Sequence, residues 1–232
     1  FDGSLLVLSG DCPLITPDTI RELADMRARS NAAVVVLTME LDDPFGYGRI
    51  IRDGEGRVER IVEQKDANAA EAAVTECNSG FYCFDAQALF EALEQVGSDN
   101  AQGEFYLTDV LEICRSAGRD VLALPASDVS ECLGVNSRVQ LAAATCALQS
   151  RINKEHMAAG VTMWDPTSVW IGPDVEIAPD VELLPQTFLL GKTQVGEDSV
   201  IGPNTRLTDT VVGSGCTIDE TVAIEARIDD EA

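Results

Sequence analysis

The sequence predicts an α/β protein in two parts, a largely parallel sheet covered by helices and a parallel β-helix of hexapeptide repeats. Strand and helix patterns alternate over residues 1–136, as in βαβ units. A helical pattern rich in Ala, Leu and Gln then covers residues 137–160. From residue 161 to residue 232 an aliphatic residue recurs every six positions, which is typical of a chain that turns a corner at each repeat. We therefore expect a domain over 1–136, a connecting helix over 137–160 and a β-helix over 161–232.

The first part contains six strand patterns and three helix patterns. Thr16 and Pro17 supply an N-cap and a first-turn proline for the first helix. Asp53 and Gly54 form a turn signal between two strands, which predicts an antiparallel hairpin added to the parallel sheet. The predicted strands are 5–8, 33–38, 49–52, 56–62, 79–84 and 121–125, and the predicted helices are 16–26, 86–96 and 109–118.

The six-residue repeat is the strongest signal in the chain. Its aliphatic positions are Ile171, Ile177, Leu183, Leu189, Val195, Ile201 and Leu207, followed after one deletion by Val212, Ile218 and Ile224. Four of them precede a glycine, namely Gly172, Gly196, Gly202 and Gly213. We predict that the aliphatic side chains fill the interior of a prism and that the small residues lie at its corners.

Composition and charge narrow the classes of partner. The 232 residues include 16 Lys and Arg against 40 Asp and Glu, for a formal charge of −24. Such a surface repels nucleic acid, so we expect no nucleic-acid partner, and a phosphate ligand would need a divalent cation. The longest apolar run, residues 32–37, is too short for a membrane helix. Seven cysteines without a CxxC pair predict neither a disulfide framework nor a zinc site, but reduced thiols in a cytoplasmic protein.

Asp11 and Asn136 are candidate ligands for a metal ion. Asp11 follows the first predicted strand after Ser9 and Gly10, at the edge of an α/β sheet where ligands bind. Its carboxylate is the kind of hard oxygen ligand that Mg²⁺ uses together with phosphates, or it caps a turn. Asn136 is a second metal or phosphate ligand, or the N-cap of the long helix.

Three further residues could bind a nucleotide or a sugar. Gly48 follows Tyr47 just before a strand and could present a backbone amide to a base or phosphate, or serve only its own loop. Glu63 ends a strand, where it could accept hydrogen bonds from sugar hydroxyls or simply be solvated. Asn78 precedes a strand, and its amide could both donate to and accept from an acetamido group.

Six segments together resemble the family of bifunctional N-acetylglucosamine-1-phosphate uridyltransferases / glucosamine-1-phosphate acetyltransferases. The resemblance covers essentially the whole chain, because a long helix and hexads follow these segments in the family's order. The segments are Leu-Ser-Gly-Asp-Cys-Pro-Leu-Ile (8–15), Asp-Pro-Phe-Gly-Tyr-Gly-Arg-Ile (43–50), Ile-Val-Glu-Gln-Lys-Asp-Ala (61–67), Cys-Asn-Ser-Gly (77–80), Asn-Ala-Gln-Gly-Glu-Phe-Tyr-Leu-Thr-Asp (100–109) and Gly-Val-Asn-Ser-Arg (134–138).

The resemblance implies a Rossmann-like nucleotidyltransferase domain and a left-handed β-helix through which subunits form homotrimers. It implies transfer of a uridylyl group from UTP to N-acetylglucosamine 1-phosphate, which gives UDP-N-acetylglucosamine and pyrophosphate for cell-wall precursors. Asp11 and Asn136 would hold Mg²⁺ and act in catalysis. The nucleotide-sugar site would be lined by Ser9, Gly10, Gly48, Glu63 and Asn78, with Tyr106 and Thr108 close by.

Two departures from the family and two alternatives bear on function. The family opens with a basic glycine-rich loop, which this sequence lacks, and its acetyltransferase residues lie in later coils. We therefore expect a piece of a longer protein that has no acetyltransferase activity and is crippled or inactive as a uridyltransferase, whereas the parent protein has both activities. A nucleotidyltransferase acting on glucose or mannose 1-phosphate is the nearest alternative, and a non-catalytic assembly scaffold is the other.

Overall fold

The structure is a computed structural model that describes residues 2–232, and the chain divides into two compact units, 1–141 and 142–232. The elements before residue 137 are β1 (Ser4–Val7), α1 (Pro17–Ser30), β2 (Val34–Glu40), β3 (Arg49–Arg52), β4 (Val58–Val62), α2 (Ala69–Ala72), β5 (Glu76–Asp85), α3 (Ala86–Leu93), α4 (Asp109–Ser116), β6 (Val121–Pro125) and a 3-10 turn at Val129–Cys132. Helix α5 follows at Arg138–Ala158.

Helices α1 and α3 begin at side chains that cap them. The hydroxyl of Thr16 accepts the backbone N–H of Thr19, and Pro17 occupies the first turn of α1, as its sequence predicts. The Asp85 carboxylate accepts the N–H of Ala88 at 2.9 Å and so caps α3. Both caps satisfy backbone donors that a helix start otherwise leaves without a partner.

The first unit is built on a six-stranded sheet with the order β4-β3-β5-β2-β6, in which β1 also pairs with β5. Strand β5 runs antiparallel to β1, β2 and β3, and among the described strands of this sheet only β2 and β6 pair in parallel. The prediction of largely parallel pairing is therefore wrong. Strands β1, β2 and β6 do share one direction, but β5 runs against them and lies between β1 and β2, so the parallel neighbours that α1 would create are separated.

Buried side chains alternate between the two faces of β2. Val34 and Val36 belong to a cluster that includes Ala88, Leu89, Val110 and Leu111 of α3 and α4. Val35, Leu37 and Met39 belong to a second cluster that includes Leu23 of α1. Because successive strand residues point to opposite faces, helices cover the sheet on both sides, which is the layered arrangement expected of an α/β domain.

The second unit contains a parallel β-helix that matches the left-handed form implied by the family resemblance. Three sheets of four strands each form its faces, with the orders β16-β13-β10-β7, β17-β14-β11-β8 and β18-β15-β12-β9. The strands are β7 (Thr162–Met163), β8 (Trp170–Ile171), β9 (Glu176–Ile177), β10 (Glu182–Leu183), β11 (Phe188–Leu190), β12 (Gln194–Val195), β13 (Val200–Ile201), β14 (Arg206–Thr208), β15 (Val211–Val212), β16 (Thr217–Ile218), β17 (Val222–Ile224) and β18 (Arg227–Ile228).

The repeat shortens toward residue 232, and this corrects one predicted interior position. Leu183 pairs with Ile201, 18 residues on, whereas Leu207 pairs with Ala223, 16 residues on. Ala223 and Ile228 pack against the interior, while Ile224, which the hexad count places inside, is 60% exposed. Three steps between inward residues span five positions instead of six: Leu207 to Val212, Ile218 to Ala223, and Ala223 to Ile228.

The described residues contain no disulfide, since all seven cysteines are free thiols and six of them are buried. Cys146 on α5 is the exposed one. None of the helices in the described chain has the length and apolar character needed to cross a membrane.

Candidate active site

A polar pocket lies where β1 ends, in the first unit. Its lining includes Ser9 and Asp11 from the loop after β1, Tyr47 from the loop before β3, and Gly134 and Asn136 from the segment after the 3-10 turn. Asp11 alone among these lining residues carries a formal charge at neutral pH. The pocket thus brings together three of the predicted site residues, Ser9, Asp11 and Asn136.

Asp11 and Asn136 face each other across Gly134. A Cβ atom placed on Gly134 would lie 3.2 Å from Asp11 Oδ2, a crowded contact, and 3.6 Å from Asn136 Nδ2, an ordinary one. The glycine therefore leaves room beside the Asp11 carboxylate. This carboxylate suits Mg²⁺, which binds few protein groups and retains waters or phosphates, and Asn136 could join it as a ligand through its amide oxygen, with the amide turned so that this oxygen replaces Nδ2.

Backbone hydrogen bonds fix the two segments that carry this pair. The N–H of Val135 donates to the carbonyl of Asp11 at 2.8 Å. The N–H of Asn136 donates to the Gln140 side chain at 2.9 Å, which also fixes the turn into α5. The backbone at Asn136 is consequently fixed by a hydrogen bond at Val135 and by another at its own N–H.

Gly48, Glu63, Asn78 and Thr108 form a second polar group beside the pocket. A Cβ on Gly48 would lie 2.9 Å from Ile61 Cγ2 and 3.4 Å from both carboxylate oxygens of Glu63, so only glycine fits there without displacement. The N–H of Asn78 donates to the Gly48 carbonyl at 2.9 Å, and the Thr108 hydroxyl donates to Glu63 Oε1 at 3.1 Å. We call these four residues the Glu63 group.

Chain continuity and one hydrogen bond connect the Glu63 group with the pocket. Tyr47 lines the pocket and directly precedes Gly48. The Ser9 hydroxyl donates to the carbonyl of Gly80, two residues after Asn78, at 3.3 Å. The two groups therefore lie along one surface of the first unit.

Asn78 lies within β5, opposite Thr38 of β2, and not before the strand as the sequence suggests. Its side-chain oxygen accepts the Tyr82 hydroxyl at 2.9 Å and the N–H of Gly80 at 3.0 Å. With the oxygen occupied by two donors, the amide NH₂ is the part of Asn78 that remains to donate to a ligand.

Gly10 and Tyr106 lie outside these contacts. A Cβ on Gly10 would meet no atom within 4 Å, and its φ is not in the left-handed region. The Tyr106 hydroxyl accepts Gln102 Nε2 at 2.7 Å, and Lys65 donates to the same Gln102 at 2.5 Å. Tyr106 thus belongs to a chain of surface hydrogen bonds, whereas the hydrogen bond to Glu63 comes from Thr108.

Burial raises the pKa of the Glu63 carboxyl, while the hydrogen bond from Thr108 opposes that rise and the charges of Asp66 and Asp109 add to it. The neutral acid is therefore favoured more in the folded than in the unfolded chain. The carboxylate oxygens of Glu63 can accept hydrogen bonds from sugar hydroxyls.

The pKa of Glu63 predicts a pH-dependent difference between the chain and its Glu63→Gln variant. As pH rises through 4.5, the usual pKa of the Glu63 carboxyl, this group ionises first in the unfolded chain. The original chain therefore loses stability until the pH passes the higher pKa of Glu63 in the folded chain. The variant lacks this loss. We expect the difference in free energy of unfolding to shift in favour of Glu63→Gln between pH 4.5 and neutrality, measured by hydrogen exchange of the β5 amides. A pH-independent difference would contradict the raised pKa.

The sequence does not single out Tyr47, Cys12, Cys132 and Glu131, which the structure places at or beside the pocket. Burial raises the pKa of Cys12 to about 11, helped by the Asp11 charge, and burial raises that of Cys132 to about 12. Both thiols are therefore neutral at physiological pH. The two glycines that flank Tyr47 are a visible signal for that residue, whereas nothing near Glu131 in the sequence marks it as buried.

The family model described as Nucleotidyl transferase matches residues 1–165. Three similar proteins are each called bifunctional protein GlmU. That of Lactobacillus helveticus is 50% identical over 229 residues, 99% of this chain and 50% of the relative. That of Corynebacterium efficiens is 48% identical over 232 residues, 100% of this chain and 48% of the relative. That of Caldanaerobacter subterraneus is 47% identical over 227 residues, 98% of this chain and 50% of the relative.

The chain spans about half the length of the curated relatives it matches. Among solved structures, a putative glucose-1-phosphate thymidylyltransferase from Bacillus anthracis, in complex with a sucrose, is similar with a TM-score of 0.46 and 20% identity. That likeness covers 62% of this chain and 53% of the other.

Proposed function

This chain belongs to the nucleotidyl transferase family, and from that premise we propose that it carries the site that makes UDP-N-acetylglucosamine from UTP and N-acetylglucosamine 1-phosphate, with release of pyrophosphate. The observation that carries the proposal is the side-by-side arrangement of an oxygen-ligand pair, Asp11 and Asn136, and the Glu63 group. The first suits phosphates with a metal ion, and the second suits a sugar. The relatives, about half identical over nearly the whole chain, support the same activity.

Nucleotidyl transferases of this kind generally use a divalent metal, and we propose that the ion here is Mg²⁺ held by Asp11 and Asn136. When bound, Mg²⁺ would neutralise negative charge on the phosphates. That contribution matters in a chain with a net charge of −24, which otherwise repels a triphosphate.

We propose that the polar side chains bind and orient the nucleotide and the sugar. Ser9 and Gly10 would line the nucleotide side, and Gly48, Thr108 and Tyr106 would lie near the sugar. The carboxyl of Glu63 would bind a sugar hydroxyl, while the NH₂ group of Asn78 would donate to the acetamido carbonyl. A sugar without that carbonyl would leave the donor unpaired, which penalises glucose.

Calorimetric titration of the chain with UDP-N-acetylglucosamine, with and without Mg²⁺, tests this proposal. We expect Mg²⁺ to strengthen binding, and we expect UDP-glucose to bind about tenfold more weakly because one buried hydrogen bond is lost. The near-isosteric variant Asn78→Asp should abolish the preference between the two sugars. Equal binding of both sugars by the original chain would instead favour the alternative, a glucose- or mannose-1-phosphate nucleotidyltransferase.

We further propose that the whole protein is a cytoplasmic, bifunctional enzyme of peptidoglycan precursor synthesis that also acetylates glucosamine 1-phosphate from acetyl-CoA. The length of the relatives, about twice that of this chain, supports a second activity outside it. We also propose a homotrimer assembled through the β-helix. One face of the β-helix exposes the apolar side chains of Phe188, Val222 and Ile224, which supports such assembly, and sedimentation equilibrium measures it.

A further inference from the structure

We propose that Glu131 is a positioning residue that holds Asp11 against Asn136, an inference that rests on the proposed metal-dependent function. Asp11 follows β1 and Asn136 precedes α5, so neither lies inside a strand or helix that would fix it. A pair of metal ligands must nevertheless keep its separation while phosphates enter and leave. The contacts between the two segments show what fixes it.

Glu131 ties the segment before Asn136 to the start of α1. It lies in the 3-10 turn and is 8% exposed. Its Oε2 atom accepts the backbone N–H of Thr16 at 2.9 Å and the Thr16 hydroxyl at 3.0 Å. Hydrogen bonds to a buried carboxylate are stronger than hydrogen bonds between neutral groups. If the carboxylate is removed, the backbone N–H of Thr16 is also left as a donor without a partner.

Two further contacts connect the same segments, residues 11–16 and 131–136. The N–H of Val135 donates to the Asp11 carbonyl at 2.8 Å, next to the pocket. The Cys12 thiol lies 3.6 Å from the Cys132 carbonyl as a weak donor, between the other two contacts. Glu131 therefore secures the end of this pairing that is farthest from the pocket.

The loss of Glu131 should reach the pocket through the backbone. Without its carboxylate the two segments would lose both hydrogen bonds to Thr16 and would keep the Val135–Asp11 backbone hydrogen bond and the weak Cys12–Cys132 contact. Gly134 lies between Cys132 and Val135, the two residues that keep contacts, and its close approach to Asp11 Oδ2 depends on the pairing. The expected result is a pair of ligands with a less well-defined separation, with both ligands still present.

Binding of Mn²⁺ to the chain, measured by electron paramagnetic resonance, tests this role without any need for turnover. An acidic surface also binds Mn²⁺ weakly. The Mn²⁺ binding of the Asp11→Asn variant is therefore subtracted from that of each other protein as the background. We expect Glu131→Ala to weaken the remaining site about tenfold, as loss of a residue that orients a metal ligand does. Glu131→Gln, whose amide oxygen can accept both Thr16 donors, should stay within about twofold.

Two more variants keep the test decisive if Glu131→Ala folds poorly. Thr16→Val removes the hydroxyl that donates to Glu131 and also caps α1, but it keeps the backbone N–H donor to Glu131, so we expect a smaller loss of about threefold. Asp85 lies at the end of β5 and pairs with the buried Arg27. The Asp85→Ala variant removes this partner and serves as a matched control for general destabilisation. It should leave Mn²⁺ affinity unchanged.

Each outcome decides between the explanations. If Asp11→Asn loses the Mn²⁺ site while Glu131→Ala keeps it at full affinity, the positioning role is wrong and the metal site stands. If Asp11→Asn binds Mn²⁺ like the original chain, the metal site itself is wrong and the role of Glu131 fails with it. Equal losses in Glu131→Ala and Asp85→Ala would also overturn the positioning role, because they would reflect stability alone.

Discussion

Replacing Asp11 by asparagine is expected to lower Mg²⁺-dependent uridylyl transfer by the longer parent protein about a thousandfold. The substitution keeps the shape of the side chain and removes the single formal charge among the residues that line the pocket. Stabilisation of phosphate charge by a bound metal contributes several kcal/mol, and about 4 kcal/mol corresponds to a factor of about 10³ in rate. The measurement is the steady-state rate of pyrophosphate release at saturating substrates over a range of Mg²⁺ concentrations.

Asp18→Asn is the matched control for this prediction. Asp18 lies in the first turn of α1, pairs with Arg21 and is almost fully exposed, so its neutralisation removes the same charge far from the pocket. We expect an unchanged rate. An Asp11→Asn protein that keeps more than a tenth of the original rate at every Mg²⁺ concentration would show that Asp11 does not hold the metal.

Replacing Gly196 by alanine is expected to destabilise the β-helix by about 2–3 kcal/mol, the upper range for forcing an extra methyl group into a packed interior. Its Cβ would lie 2.6 Å from the carbonyl carbon of Gly213 and 2.7 Å from both Gly213 O and Ser214 N. These are backbone atoms of the next coil, so no side-chain rotation can make room. Denaturant unfolding followed by tryptophan fluorescence measures the effect, because both tryptophans lie in the second unit.

Gly172→Ala provides a control at the equivalent repeat position. Gly172 also follows an inward aliphatic residue, but its Cβ would lie 3.6 Å from the nearest atoms of the next coil, an ordinary contact. We expect a change within about 0.5 kcal/mol. The coil that begins at Gly196 is one residue shorter than the coil that begins at Gly172, since Val195 pairs with Val212 and Ile171 pairs with Leu189. Equal effects of the two substitutions would contradict the structure at this corner.

Most of the fold could be predicted because its periodicities have direct physical causes. Interior positions of a β-helix must recur at the corner spacing, so aliphatic residues through Ile218 identify them. The assignment is wrong at Ile224 because a five-residue corner after Ile218 places Ala223 inside, and side-chain type alone does not reveal a shorter corner. The direction of β5 is equally invisible, since a strand buried on both faces has the same pattern whichever way it runs.

The candidate site was predictable only in part. A carboxylate at the end of β1 is a local feature, so Asp11 could be proposed from its neighbours, whereas its approach to Asn136 was implied by the family resemblance. Glu131 could not be found, because its burial depends on Thr16, 115 residues away along the chain. The orientation of Asn78 was hidden for a similar reason, since it depends on the hydroxyl of Tyr82 in a strand whose start was placed too late.

The position of β5 between β1 and β2 also sets an order of events during synthesis. Ser4 of β1 pairs with Asp85, so among the described strands the partner of β1 is complete only after the whole of β5 has left the ribosome. In the β-helix, Glu182 pairs with Val200, and each new coil can dock on the one before it as soon as it is made. Pairing across long sequence separations is slow, because the loop entropy is lost before the contact forms. The first unit should therefore be the slow step in reaching the native state and the part most dependent on protection by chaperones.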